Sequence, residues 1–555
     1  RREERGGGGA PEDAAGRLHA SLPPARALPL RGARLVQTIV TSARAPEQSV
    51  AKSSRSRRKR GDRAKCAQGS VFADLEIVYL RTIAEAESPG RGHDKNYKER
   101  EDAMAKGFRN ALLGGVAVAG TVIGAQAALA GAFALREQSA QGMGQTFAGV
   151  AAGGGGLTSM FWNPATMTQF EGMTSSWTGT GFIPYAKVTP DAATSAFMTR
   201  VGRGSTLSAG PTGDVGHNAV SAASASAMQI TDRVWVGLNV SAPYGLVTKA
   251  PTNWAGQLYA RTSKVFSVDV APTVAVKIND MISVGVGLRA MYFKVKLSSA
   301  APMGPGAALA PTALLPNAGF GTIEGDDWSF GWTAGVTLTP FQGTTIGLGY
   351  RSQMRPTLEG SMVTPYVNQP VKVGVKLPDQ FTVGLRQRVS DRFTFLAGYE
   401  WTRWSVLSSF PVYFTAPPLA GRVATTLPFK YSNSWFASVG GEYKVDDRWT
   451  VRAGLGYEKS PITAKDRTPR LPDSDRIWTS LGVSYQLNNR LTLDASYAHV
   501  FAKRGKIAIV PGHPAYAGVP FVGQSKARLD LLSVGLTYRW DEPRVAVAAP
   551  LVRKY

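Results

Sequence analysis

From residue 173 to residue 540 the sequence alternates between apolar side chains and small or polar ones, with a period of two. The run RVWVGLNVSAP, from Arg233 to Pro243, is typical of the pattern. Such alternation predicts strands with one apolar face. Runs that end at turn residues give about fourteen strands. We place them near 173–187, 218–230, 234–244, 264–278, 282–298, 327–339, 345–359, 379–389, 392–404, 434–445, 449–459, 476–487, 491–503 and 528–540.

The connections between these strands alternate in length. Short turns rich in Asn and Asp lie at 231–233, 278–280, 390–391, 446–447 and 488–489. Between them run long links of roughly fifteen to thirty residues. Short turns at one rim and long loops at the other are typical of an outer-membrane barrel. We therefore predict an all-β fold, a 14-stranded antiparallel transmembrane β-barrel over 171–540, because bacterial barrels use an even strand number. A soluble propeller would repeat one motif per blade, and no such period is present.

The chain ahead of the strands divides into three parts. Residues 104–130 combine a short basic region, an apolar stretch and small residues before Ala130, which predicts a secretory signal peptide. We therefore expect Met104 to be the true start and 1–103 to be a non-native upstream extension or a disordered leader. Residues 541–555 follow the last predicted strand as a C-terminal tail with no physical account.

Between signal and strands lies a glycine-rich segment with too little bulk to form a core of its own. Residues 131–170 are predicted to form an N-terminal hatch, a plug inside the barrel lumen. Gly153, Gly154, Gly155 and Gly156 give it backbone freedom. Asn163-Pro164-Ala165 closes it with a fixed turn, because proline sets its own φ and biases the residue before it. Phe133, near its start, is its first large apolar side chain.

Composition narrows the possible functions. The 555 residues carry a net charge of +24 and are 43% hydrophobic, yet no uninterrupted apolar run of helical-span length follows the signal. The single cysteine, Cys66, precedes the signal, so the exported part has no disulfides or cysteine zinc sites. No basic patch is interleaved with aromatics, so no nucleic acid partner is expected. The histidines of the exported part form no catalytic constellation, and we expect no enzyme activity, no metal and no cofactor.

Several motifs resemble the FadL-type family of outer-membrane transporters for long-chain fatty acids and other hydrophobic compounds, including the relatives that take up toluene and xylene. They are the segment ending in NPA, YRS at 350–352 with TLEG at 357–360, and LPD at 377–379. WTRWS at 401–405, SPITAKDRTPRLPDSDRIWTSLG at 460–482 and the closing SVGLTYRW follow in family order. The resemblance covers nearly everything after Met104.

The resemblance implies passive uptake of hydrophobic compounds, most often long-chain fatty acids. Ligand would be caught by an apolar groove among the outer loops, bind an internal pocket, and leave sideways through the wall after a hatch movement. In the family the third strand kinks inward, and here the third strand ends at Pro243, Tyr244 and Gly245. Proline interrupts a ladder of hydrogen bonds, so these residues are the candidate lateral gate. Alternatives are an aromatic-hydrocarbon channel and a general porin or structural outer-membrane protein.

Three long links supply further candidates. Exposed apolar loop residues suggest a ligand groove, and its candidates are Met303, Leu309, Leu314, Leu315, Phe320, Phe410, Tyr413 and Phe414. RTPRLPDSDR mixes both charges with two prolines, which suggests a rigid polar loop at the lumen mouth or a carboxylate-binding role for arginine. Its candidates are Arg467, Arg470, Asp473, Asp475 and Arg476. In the cell outer membrane of a Gram-negative bacterium, we expect contacts with membrane lipid, lipopolysaccharide and the barrel-assembly machinery, and a monomeric state.

Overall fold

A computed structural model describes residues 132–201, 209–300, 320–365 and 367–541. The expected leader, the signal peptide and residues 542–555 lie outside this part of the chain. Four groove candidates, Met303, Leu309, Leu314 and Leu315, also lie outside it.

The described chain is built mainly from antiparallel strands. In chain order they are β1 Met173–Pro190, β2 Ala219–Gln229, β3 Val234–Ser241, β4 Gly245–Lys249, β5 Thr262–Lys277, β6 Ile282–Ala300, β7 Phe320–Phe341, β8 Thr344–Arg351, β9 Thr357–Val363, β10 Asn368–Gly374, β11 Gln380–Arg388, β12 Phe393–Thr402, β13 Ser409–Phe414, β14 Val423–Pro428, β15 Ser434–Lys444, β16 Trp449–Lys459, β17 Arg476–Gln486, β18 Leu491–Ala502, β19 Gly505–Ile509 and β20 Phe521–Arg539.

Fourteen of these strands pair in a closed ring. The order is β1, β2, β3, β5, β6, β7, β8, β11, β12, β15, β16, β17, β18 and β20. β20 returns to pair with β1 from Thr174↔Arg539 to Pro190↔Gly523, so the ring of strands is closed. The predicted antiparallel barrel and its strand number are confirmed. The other described strands, β4, β9, β10, β13, β14 and β19, form within the long links.

The barrel wall alternates between a buried and an exposed face. In β1, Ala186 and Val188 are fully buried, whereas Ile183 is 45% exposed. Large apolar side chains cover the outer face, among them Phe330 and Leu481. This outward band is what a sheet needs in order to face hydrocarbon. Within the described residues, no helix is both long and apolar enough to cross a membrane.

Residues 132–170, called here the inner segment, run inside the ring. They contain the short helix α1 Ala140–Gly144 and the 3-10 helices Val150–Ala152, Gly156–Phe161 and Pro164–Gln169. α1 contacts β17, β18 and β20, and the 3-10 helices contact β8 and β11, then β1, β2 and β3, and finally β5, β6 and β7. Contact with strands all around the ring, together with nearly complete burial, shows that the inner segment occupies the lumen. Outside it lie α2 Ala192–Val201 and the 3-10 helix Trp404–Val406.

Glycines in the wall let the backbone of the inner segment lie directly on the strands. A Cβ at Gly347 in β8 would lie 1.7 Å from the carbonyl oxygen of Ala151, and one at Gly349 would lie 1.9 Å from that of Trp162. Distances this short leave no room for any side chain. The wall and the segment that fills it are therefore matched at backbone level.

Candidate functional site

An apolar cavity of about 470 Å³ lies between the start of the inner segment and the strands formed by the long links. β4, β5, β6, β9, β10 and β13 contribute to it, as does the loop 460–475. Its lining is dominated by aliphatic and aromatic side chains, including Phe133, Leu246, Val265, Phe293, Val373 and Phe410. A concave apolar space with few polar groups is the usual form of a small-molecule site.

Arg470 lines this cavity, and no other lysine or arginine of the described residues does. Within the described chain it has no carboxylate partner. Its guanidinium donates to the carbonyl oxygens of Thr262 (3.1 Å), Ser298 (3.3 Å) and Tyr259 (2.9 Å). Burial lowers the pKa of Arg470 to about 10, which leaves the side chain charged at neutral pH. The cavity therefore holds a positive charge that pairs with no acidic side chain of the described residues.

The acidic side chains that line the cavity are occupied elsewhere. Glu324 forms ion pairs with Lys294 (2.9 Å) and Lys296 (2.8 Å). Asp466 accepts a hydrogen bond of 2.8 Å from the hydroxyl of Thr463. Arg470 is thus the polar group best suited to orient an anionic ligand head.

Four aromatic rings meet at one end of the cavity, and two of them, Phe133 and Phe293, line it. The Phe133 ring lies 4.9 Å from that of Trp404, 5.7 Å from that of Tyr244 and 6.4 Å from that of Phe293. Phe133, Tyr244 and Trp404 are all less than a tenth exposed. The inner segment thereby supplies part of the cavity wall, so a change in its position changes the cavity.

The polar loop 467–476 holds the beginning of the inner segment. The carboxylate of Asp473 accepts from the backbone N–H of Ala132 (3.0 Å) and the hydroxyl of Ser460 (2.7 Å), and it is paired with Arg476. Asp475 pairs with Lys459 at 3.0 Å. These contacts tie the loop to the first described residue of the inner segment and to the end of β16.

In the described chain, Arg467 and Arg470 of this loop form no ion pair with its aspartates. Arg467 donates instead to the carbonyl oxygens of Asp473 (2.7 Å), Lys506 (3.0 Å) and Ile462 (3.1 Å). Arg470, described above, also binds carbonyl groups. Every residue has a backbone carbonyl, so the pattern of charged residues does not show when an arginine will bind a carbonyl in place of a carboxylate.

The barrel wall has a gap beside β2. Residues 219–223 pair with β1 on one side, but no described strand pairs with their other edge, since β3 pairs with β2 only from Ser224 onward. A single antiparallel bridge between Gly216 and Thr248 bounds the gap at its outer end. In the described chain, residues 219–223 thus have no strand partner along the edge that faces β3 and β4.

The predicted gate residues lie opposite this gap. β3 ends at Ser241, which pairs with Asp269, and β4 begins at Gly245, which pairs with Phe266. Gly245 is four residues after Ser241, whereas their partners in β5, Phe266 and Asp269, are three residues apart. The extra residue bends the strand. Pro243 lies within this bend.

The inner segment pairs with the bend. The N–H of Leu135 donates to the carbonyl of Pro243 (2.8 Å), and the N–H of Gly245 donates to the carbonyl of Phe133 (2.9 Å). Tyr244 is nearly buried and packs on Phe133. The bent strand and the start of the inner segment are consequently one hydrogen-bonded unit.

Asn163 anchors the other end of the inner segment. Its side-chain oxygen accepts from the N–H of Ala165 (3.0 Å), which caps the last 3-10 helix, and Pro164 is the first residue of that helix. The side-chain nitrogen donates to the carbonyls of Ala151 (2.7 Å) and Val336 (2.9 Å). One amide thus ties two turns of the inner segment to β7.

The four glycines lie between these two ends. Gly153 and Gly156 have positive φ angles of 95° and 67°, which other residues rarely adopt. A Cβ at Gly153 would also lie 2.2 Å from the side-chain oxygen of Gln169. Gly154 and Gly155 pack within the same turn, so the run is fitted to its surroundings at every position.

The groove candidates in the described chain are divided. Phe410 lines the cavity, and Phe414 is buried in the apolar cluster around it. Tyr413 is 36% exposed, and Phe320 is an exposed residue at the start of β7. Sequence reasoning missed the contribution of Leu358 in β9 and of Val371 and Val373 in β10. The alternating run VKVGV, 371–375, could have revealed it.

A group of buried charges lies where the inner segment crosses β12 and β16. Arg136 pairs with Glu400 (2.8 Å) and Glu458 (3.4 Å). Beside it the carboxylate of Glu137 is 1% exposed, and neither of its oxygens has a hydrogen-bond partner among the described residues. Burial raises the pKa of Glu137 to about 7, against the opposing charge of Arg136. No group of three or more described His, Cys, Asp or Glu residues is arranged to hold a metal ion.

Comparison with protein families gives one match over most of the chain. Residues 121–543 match the model of a family described as outer membrane protein transport protein (OMPP1/FadL/TodX).

Individual proteins are similar to the chain at lower identity. The long-chain fatty acid transport protein of Escherichia coli O6:H1 is 25% identical over 463 residues, which cover 75% of this chain and 96% of that protein. Outer membrane protein P1 of Haemophilus influenzae is 24% identical over 423 residues, which cover 69% of this chain and 88% of that protein.

Solved structures share the fold. A FadL homologue of Pseudomonas aeruginosa has a TM-score of 0.65 at 22% identity and covers 74% of this chain and all of its own. The toluene transporter TodX of Pseudomonas putida has a TM-score of 0.51 at 16% identity, and the match covers 71% of this chain and 98% of that protein. At these identities the likeness extends to the barrel and not to the ligand.

Proposed function

Since the chain belongs to the family of outer membrane transport proteins described as OMPP1/FadL/TodX, we propose that it carries long-chain fatty acids inward across the outer membrane. The transport is passive. Ligand moves down its gradient through an apolar path, because each buried methylene gains about 0.8 kcal/mol relative to water. Because the family is one of transport proteins, we assign structural and binding roles, and no catalytic role, to the buried charges described above.

Arg470 is the observation that carries the choice of ligand. It presents a guanidinium without an acidic partner to a cavity that is otherwise mostly apolar. Guanidinium groups hold carboxylates through paired, charge-assisted hydrogen bonds. An acyl chain would lie among Phe293, Val373 and Phe410 with its carboxylate toward Arg470. The long-chain fatty acid transport proteins to which this chain is similar agree with that ligand class.

Uptake of single-ring aromatic hydrocarbons is the second candidate. Its support is the fold likeness to the toluene transporter TodX. The cavity dimensions and charge favour the fatty acid. A cavity of about 150 Å³ is enough for benzene, and this one is about 470 Å³. An aromatic hydrocarbon can meet an arginine only through a cation–π contact, which is weaker than the charge-assisted pair that a carboxylate makes. A general porin is disfavoured because the inner segment occupies the lumen.

The same geometry supports a route for the ligand. Exposed apolar residues of the long links, such as Tyr413, first collect it at the cell surface. It then enters the cavity, and its arrival displaces Phe133. Because the residues around Phe133 are hydrogen-bonded to Pro243 and Gly245, this movement is transmitted to the bent strand. The inner segment thus acts as a hatch, and the ligand leaves sideways through the gap beside β2.

Substitution of Arg470 by Gln tests the choice of ligand. We expect Arg470→Gln to bind oleate at least tenfold more weakly, since about 1.4 kcal/mol is tenfold and a charge-assisted contact is worth that much or more. Oleyl alcohol, which has the same chain without the charge, should bind both proteins equally. Titration of the purified barrel, followed by tryptophan fluorescence, measures both.

The matched control is Arg422→Gln, which removes an exposed arginine from a neighbouring link. It should leave oleate binding unchanged. Equal loss of oleate and oleyl alcohol would mean that Arg470 is only structural. Toluene binding tighter than oleate binding would favour the aromatic alternative and reject the fatty acid.

A further inference from the structure

The outer face of the barrel carries an unusual cluster of positive charges where β1, β19 and β20 meet. It consists of Lys187, Lys506, Lys526 and Arg528, which we call the outward basic patch. Lys187 is partly exposed and the other three are exposed. Strand alternation places Lys187 on the face of Ile183, and Lys526 and Arg528 on the face of Leu532, both of which are exposed apolar residues. The patch therefore faces the membrane and not the lumen.

The register brings two of these charges together. Lys187 pairs directly with Lys526 across β1 and β20, and Tyr185 pairs with Arg528. Like charges directly opposite one another destabilise a sheet. In the described part of the chain none of the four cations of the patch forms an ion pair. The nearby acid on the same face, Asp530, is bonded to the hydroxyl of Tyr497 and the ring of His499, each at 2.6 Å.

The position of the patch fits an interface between hydrocarbon and water. Toward the short turns the same faces carry Ile183, Leu532 and Val534, all largely exposed. Tyr185 lies between this apolar band and the lysines, and the guanidinium of Arg528 stands 5.2 Å from its ring centroid. Aromatic residues mark such boundaries in barrels. Because the long loops extend to the outside, this boundary belongs to the outer leaflet.

Not every cluster of outward lysines has this character. Near the outer ends of β6 and β7, Lys294 and Lys296 are both held by Glu324. That cluster is neutralised by the protein itself. Among the described residues no acid forms an ion pair with the cations of the outward basic patch, so their charge is available to a group outside the chain.

We propose that the outward basic patch binds the phosphate groups of a phosphorylated glycolipid of the outer leaflet, that is, lipopolysaccharide. The phosphates would lie between Lys187, Lys526 and Arg528, and the acyl chains would pack on Ile183 and Leu532 below. A bound anion removes the repulsion between the paired lysines. This role does not depend on the transported ligand, and it would hold the barrel in the outer leaflet beside the gap at β2, which is the neighbour of β1.

Purified full-length protein and defined lipid A test the proposal. Lys187→Gln, Lys526→Gln and Arg528→Gln are combined in one variant, with Lys526→Gln alone as a milder version. We expect the triple variant to bind diphosphorylated lipid A roughly tenfold or more weakly, because each cation near an anionic lipid surface adds to the attraction. Native mass spectrometry counts the lipid retained, and circular dichroism checks that strand content is unchanged.

The control removes three exposed cations at the short-turn rim, by Arg392→Gln, Lys444→Gln and Arg448→Gln. It should retain lipid A as the unmodified protein does. Dephosphorylated lipid A should bind weakly to all forms. Equal retention of lipid A by the triple variant, or of the phosphorylated and dephosphorylated lipids by the unmodified protein, would overturn the proposal. Displacement of lipid A by millimolar inorganic phosphate would also overturn it, since the patch would then be a site for free anions.

Discussion

Glu137 stands out among the individual residues because its carboxylate is buried without a hydrogen-bond partner in the described chain. Burial raises its pKa from the ordinary 4.5 to about 7. The folded protein therefore holds this proton more tightly than the unfolded chain does. Below about pH 4.5 the group is neutral in both states, and its burial is least costly. Between that pH and about 7 the unfolded chain ionises first, so folding stability falls as pH rises.

Glu137→Gln should remove this dependence on pH. The shift corresponds to a loss on the order of 3 kcal/mol in the free energy of unfolding above pH 7. Urea unfolding of the barrel in micelles, followed at pH 5 and pH 9, measures it. We expect the variant to have a higher free energy of unfolding than the unmodified protein at pH 9 and the same value at pH 5. Glu171→Gln, at an exposed position near the end of the inner segment, is the control. Parallel pH profiles for Glu137→Gln and the unmodified protein would contradict the assignment.

At the scale of elements, alternation predicted the ring strands well because each one crosses with one face buried and the other exposed. The predicted strand 449–459 has the bounds of β16, whereas the predicted strand 345–359 is divided, and its second part becomes β9. β9 pairs with β7 and β10 above the ring, and such partners depend on contacts between distant links. A local pattern does not contain this information, which is why much of the cavity wall was missed. Arg470 was found from its motif, but its lack of a carboxylate partner required the fold.

The bend between β3 and β4 is the element on which the proposed lateral release depends. Pro243 contributes no N–H, and valine at this position would restore a donor and favour extended pairing. We expect Pro243→Val to narrow the gap beside residues 219–223 and to slow oleate uptake several-fold, while oleate binding to the purified protein stays unchanged. Uptake of labelled oleate by cells with equal amounts of barrel measures the first effect.

Pro272→Val is the matched control, because Pro272 lies in β5 directly opposite β3 and faces outward. Its replacement changes a strand proline of the same sheet without touching the bend. Uptake should remain as in the unmodified protein. Unchanged uptake in Pro243→Val would mean that the ligand leaves by another way.

At the scale of the whole molecule, the ring and the inner segment fit only because wall glycines admit the backbone of the segment. Gly347→Val would place side-chain atoms where the carbonyl oxygen of Ala151 now lies, 1.7 Å from an ideal Cβ. Overpacking of this kind costs about 1–3 kcal/mol or more. β8 is bonded to its neighbours along both edges, whereas the inner segment has no strand ladder of its own. The segment should therefore move and the wall remain.

Displacement of the inner segment should open the lumen to ions, which planar-bilayer conductance detects directly. We expect low conductance for the intact protein and for Gly374→Val, since a Cβ at Gly374 meets no atom within 4 Å. Gly347→Val should conduct ions several-fold better than the intact protein, and so approach the conductance of a variant that lacks residues 132–162. High conductance of the intact protein would mean that the lumen is already open, and the inner segment could not then be a hatch. Low conductance in the deletion variant would place the barrier in the wall itself, which contradicts the role given to the segment.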